Sequence, residues 1–261
     1  MYQHHKKTLE NLKNKIIENT DIKALLLCGS IAHGFERESS DLDVLFIVSK
    51  EDYLTRKNIG KLTYFDPELA VAPTEYIDGK YISLEFMEKV AERGSEPARF
   101  AFEGAEIIFS RIADLAGLLA KITVYPVKEK QDKIERFYAQ FEAWKWYAEE
   151  AIKLNNQYLL NRAVNNLVLF GGRLILAENE CLYPFHKWFL RVLAEIEDKP
   201  DQLMKTIDDL MAIPDQKLVE KFYQVIKTYK NWVDTDINWP HQFMLDTELT
   251  WLEDKTPVAD L

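Results

Sequence analysis

Residues Leu25–Lys50 read LLLCGSIAHGFERESSDLDVLFIVSK. An apolar run stops at Gly29-Ser30, ten mostly polar residues follow, and a second apolar run opens with Asp41 and Asp43. Short continuous apolar runs of this kind suit buried strands, so the stretch reads as strand, turn, short helix, strand. Residues i and i+2 of a strand project from one face, which brings the two aspartates side by side. Carboxylates that close repel each other and raise one pKa unless a cation sits between them. A divalent metal is the simplest compensation.

Gly29 lets backbone approach a ligand with no Cβ in the way, and the N–H groups that follow it can cradle a phosphate. Ser30 adds a hydroxyl donor, and Arg37 in the intervening loop could reach a triphosphate with its forked guanidinium. His33, Glu36 and Glu38 fill the rest of that loop, and the glutamates read as solvated. A phosphate cradle beside paired aspartates is what a magnesium-bound nucleoside triphosphate needs. A third carboxylate is then expected on an adjacent strand.

The stretch TEYIDGKYISLEFM, from Thr74 to Met87, offers one. Its apolar and polar residues alternate on either side of Asp78-Gly79, a hairpin signal. On the second arm Tyr81, Ser83 and Glu85 share a face, which makes Glu85 the candidate, with Glu75 on the first arm as competitor.

Working outward, Leu9, Leu12, Ile16 and Ile17 predict an amphipathic helix over residues 5–19. AEIIFSR reads as a further strand and IADLAGLLAKI as a helix, so residues 1–125 form an expected small α/β domain with a mixed sheet. Residues 126–261 hold five stretches with helical apolar spacing, QDKIERFYAQFEAWKWYAEEAIKL, YLLNRAVNNLVLFGGRLILAEN, FHKWFLRVLAEIE, PDQLMKTIDDLMA and DQKLVEKFYQVIKTYKNWVDT. They predict an all-helical bundle, an α+β chain as a whole. Aromatics around His186, Lys187 and His241 read as core or interface.

The 261 residues carry a formal net charge of -10, unlike the basic field of a protein whose partner is a nucleic-acid backbone. Two cysteines, Cys28 and Cys181, are too few for a disulfide framework or a zinc site. The start of the chain lacks an apolar leader segment and no stretch is long enough to span a bilayer, so no membrane partner and a cytoplasmic location are expected.

Gly29-Ser30, the ten-residue gap, Asp41-Leu42-Asp43-Val44 and the later Glu85 together resemble the signature of the polymerase-beta-like nucleotidyltransferase superfamily. Within it, an α/β domain followed by helices is similar to the bacterial aminoglycoside and lincosamide nucleotidyltransferases. The resemblance implies that Asp41, Asp43 and Glu85 hold two magnesium ions while an acceptor hydroxyl attacks the α-phosphorus of ATP or another NTP, releasing pyrophosphate. It further implies a small acceptor, an antibiotic among the candidates, bound by the helical half. Glu85 or a helical carboxylate such as Glu142 or Glu149 would serve as general base, and a homodimer is compatible with the reading. Modification of a protein partner and a non-catalytic nucleotide-binding module are the alternatives.

Overall fold

The structure is a computed structural model that describes residues 1–233, 237–253 and 258. The chain divides into two compact units, Met1–Val124 and Tyr125–Leu261.

In the first unit the order is α1 (Gln3–Ile16), β1 (Ile22–Leu27), α2 (Gly29–Ala32), β2 (Leu42–Val48), α3 (Lys50–Asn58), β3 (Thr63–Asp66), β4 (Ile77–Ser83), α4 (Leu84–Arg93), α5 (Glu96–Phe100), β5 (Glu106–Ser110) and α6 (Leu115–Ile122). The strands form one sheet in the order β3-β4-β2-β1-β5. β2 and β4 run parallel, and every other neighbouring pair is antiparallel. Leu25, Leu27, Leu42, Val44, Phe46 and Ile77 pack on one face beneath Leu9, Leu12 and Ile16 of α1. Leu26, Cys28, Ile47 and Ile82 pack on the other beneath Met87 and Val90 of α4 and Leu119 of α6. Each fully buried aliphatic side chain contributes about 2 kcal/mol, so α1 is held by its apolar stripe.

Asp78-Gly79 is not a turn. Both residues lie inside β4, with Asp78 opposite Asp43 of β2 and Phe65 of β3. Gly79 is required by packing, because a Cβ there would sit 2.6 Å from Phe46 Cε2. The strand ends at Ser83, whose Oγ accepts a hydrogen bond from the Phe86 N–H at 3.1 Å and caps α4. Such a side-chain acceptor satisfies one of the donors a helix start leaves open. Glu85 therefore stands in the first turn of a helix, not on a strand.

The edge strand β3 is tied to α1 through Asp66, which is buried and accepts from Lys15 Nζ and Tyr64 Oη, each at 2.7 Å. Burial alone would raise the Asp66 pKa. The hydrogen bonds from Lys15 and Tyr64 outweigh it and bring the carboxyl to about 2.

The second unit is helical: α7 (Lys130–Lys153), α8 (Gln157–Glu178), α9 (Phe189–Glu195), α10 (Leu203–Ala212), α11 (Gln216–Lys227) and α12 (Trp239–Phe243), with short irregular helical turns at Val127–Glu129, Met244–Glu248 and Thr250–Leu252. The sequence pattern extends α11 too far: the helix stops at Lys227, and Asp234 and Thr235 at the end of the expected stretch lie outside the described residues. Arg173 of α8 is fully buried between the rings of Phe137 and Tyr183, each centroid 4.2 Å from its guanidinium carbon. No helix among the described residues is long and apolar enough to cross a membrane.

Candidate active site

Three neighbouring strand ends bring the opening motif together. Gly29 follows β1 with φ +65°, and a Cβ built on it would lie 1.9 Å from Asp43 Oδ2. Only a residue without a side chain allows that approach. The Cys28 N–H donates to the Asp43 carbonyl at 2.9 Å, which locks the turn to β2. Ser30 is buried, and among the described residues its Oγ has no hydrogen-bond partner. A buried hydroxyl left unpaired costs about 1–3 kcal/mol.

Asp43 lies on the sheet face opposite α1, and Asp41, two residues earlier, shares its strand parity. Tyr76, just before β4, donates its hydroxyl to the Asp41 carboxylate, whose negative charge raises the phenol pKa. The Leu42 N–H donates to the Tyr76 carbonyl at 3.2 Å, so backbone pairing holds the tyrosine there. The carboxylate in register beside Asp43 on the adjacent strand is Asp78. Glu75, the other acid considered from sequence, is exposed on the loop before it.

Glu85 does not join this group. It sits past the opposite end of β4, where Lys50 and Lys89 each approach it at 2.9 Å. The hydrogen bond from Lys89 first, then that from Lys50, hold its carboxyl well down, at about 2. From Asp78 to the end of β4 at Ser83 is five residues, or about 17 Å of strand. Arg37 is exposed, and Ser40 Oγ accepts from its backbone N–H at 2.8 Å. The His33 ring stacks on Phe100 at 4.3 Å, and burial lowers its pKa.

Within the helical unit, Glu142 accepts from Tyr223 Oη at 2.9 Å and from Lys227 at 3.1 Å. Glu149 accepts from Lys145 at 2.8 Å and from Gln216 at 3.2 Å. Both carboxylates hold α7 against α11. His186 Nδ1 lies 3.2 Å from Tyr183 Oη, Lys187 lies over the Trp188 ring, and His241 is in the first turn of α12.

Among the described residues no group of three or more His, Cys, Asp or Glu side chains is close enough to hold a metal by itself. Magnesium seldom needs one, since it is usually bound through one or two carboxylates with substrate phosphates and water completing its shell. The oxygen donors of Asp41 and Asp43, beside an unpartnered Ser30 hydroxyl, fit that requirement.

Residues 9–104 match the nucleotidyltransferase domain family. No curated protein matches the chain. A solved structure, a nucleotidyltransferase-like protein from Exiguobacterium sibiricum 255-15, is similar with a TM-score of 0.49 at 12% identity, over 96% of this chain and 87% of that one. The glycine pressed against Asp43 and the carboxylates beside it thus fall within the stretch, residues 9–104, that matches a nucleotidyltransferase domain.

Proposed function

We propose that the protein moves a nucleoside monophosphate from an NTP, with ATP the expected donor, to a hydroxyl of a small acceptor, and that pyrophosphate leaves. The observation that carries this is the contact of Gly29 with Asp43 beside the buried, unpartnered Ser30 hydroxyl. It joins an anion-accepting backbone to a cation-accepting carboxylate, which is how a triphosphate and its counter-ion would be received together.

Asp41 and Asp43 would hold magnesium, with Asp78 in place of Glu85 as the third acid. Magnesium, when bound, would lower the pKa of the attacking hydroxyl and neutralise the departing pyrophosphate. Ser30 donates to a phosphate oxygen, and Arg37 is the candidate cation for the triphosphate tail. Asp78, one strand from Asp43, would take the proton of the attacking hydroxyl. The negative net charge suits a neutral or cationic acceptor, an aminoglycoside-like antibiotic included, and disfavours a nucleic acid.

The test is to incubate the protein with magnesium and α-labelled NTPs against aminoglycosides, lincosamides, nucleosides and cell lysate. Label on a small molecule is expected. Label on a polypeptide, or binding of NTP without transfer, would replace this reading.

A further inference from the structure

The row that holds Asp43 and Asp78 continues onto β3. Phe65 is the register partner of Asp78, so Asp43, Asp78 and Phe65 occupy one face of three adjacent strands. Phe65 is 66% exposed, an unusual state for an aromatic on a sheet face that elsewhere carries the core. Its ring lies 5.1 Å from that of Tyr76, the residue whose hydroxyl holds Asp41. The two rings make one apolar shelf, joined to Asp41 through the Tyr76 hydroxyl. Lys80 is the next residue of β4 on this face, and Glu75 borders Tyr76.

Strand order gives the shelf a direction. Gly29 and Ser30 follow β1 and lie on one side of β2, whereas β4 and β3 lie on the other. In phosphoryl transfer the attacking and leaving oxygens are roughly in line across the phosphorus. With the departing pyrophosphate at Gly29-Ser30, the attacking hydroxyl comes from the β4–β3 side, where the shelf stands.

We propose that Phe65 and Tyr76 receive the acceptor, and that it is a hydroxylated saturated ring, neutral or cationic, whose C–H face packs on these aromatics. The inference rests on the transfer reading above. An aromatic face attracts apolar ring surface and, more strongly, a cation, and the bordering carboxylates exclude an anionic acceptor. Tyr76 serves twice, as part of the shelf and as the group that orients Asp41.

Saturation-transfer NMR on the full chain tests this, with irradiation of the protein's aromatic protons. The probes are methyl β-glucopyranoside, the cationic aminocyclitol 2-deoxystreptamine, glycerol as a ringless control, and magnesium-ATP. Transfer to the ring C–H protons of the glucoside or the aminocyclitol is expected, and none to glycerol. Phe65→Ala should reduce it about fivefold, Phe65→Trp should retain it, and the adenine signals should not change in either. Because Phe65 is exposed on an edge strand, both variants should keep the wild-type thermal midpoint. Transfer to neither ring in the wild type, an undiminished signal in Phe65→Ala, or a loss confined to adenine overturns the proposal. If magnesium-ATP fails to bind while the ring signals still depend on Phe65, the nucleotide reading falls and the shelf stands.

Discussion

The parallel strands β2 and β4 carry carboxylates near both ends, and the two ends treat them differently. At the leading end Asp41 meets a phenol, which donates one hydrogen bond and brings no charge. At the trailing end Glu85 meets two ammonium groups, in a pocket that Lys57 also lines. A carboxylate already neutralised by lysines has nothing to gain from a metal, and as an exposed ion pair it contributes little to stability. Asp41, whose hydrogen bond comes from the Tyr76 hydroxyl, receives no charge from that partner. The partner a carboxylate already has, more than its presence, separates a binding site from a surface.

That contrast can be broken by substitution. Asp43→Asn should lower nucleotidyl transfer about a thousandfold or more, while its urea midpoint stays near that of the wild type; an unchanged rate would remove the leading end from the chemistry. Asp78→Asn should cost about a hundredfold if it takes the proton, measured as kcat at saturating NTP, whereas Glu85→Gln should leave the rate alone. A loss on Glu85→Gln with none on Asp78→Asn would reverse the assignment of the two ends.

Gly79→Asn is a structural version of the same question. In a hairpin turn asparagine would be tolerated, but in β4 its Cβ meets Phe46 and should destabilise the fold by about 1–3 kcal/mol, read by urea denaturation. The smallest effect belongs to Glu85 and pH. Its folded pKa, about 2, lies below the usual carboxylate range, so its contribution is present above that range and is lost as pH falls through it toward 2. The stability gap between wild type and Glu85→Gln should close across that window, and added salt should shrink it at neutral pH; a gap that widens on acidification would contradict the lysine pairing.

The leading end was legible because its signals are local. Gly29, Ser30, Asp41 and Asp43 lie within fifteen residues, and the alternation of a strand sets which of them share a face. The pairing of Asp78 with Asp43 was not, since it depends on the parallel register of β4 against β2, whose partners Leu42 and Ile77 stand thirty-five positions apart in sequence. Asp78-Gly79 carries the composition of a turn, but Gly79 is there to let Phe46 and Tyr64 close over the strand. Ser83 held the missing signal: a serine three residues before an N–H it can accept from marks a helix start, and that would have moved Glu85 off the strand. Ser49, which caps α3 through the Asp52 N–H at 3.2 Å, is the same signal at a helix the apolar pattern left unmarked.

Cys28 gives the leading end a chemical property of its own. The thiol is buried behind Asp43, and burial first, with the aspartate charge second, pushes it up to about 12. The thiolate, not the thiol, is the nucleophile, so near neutral pH this sulfur stays inert to alkylation until the strand opens.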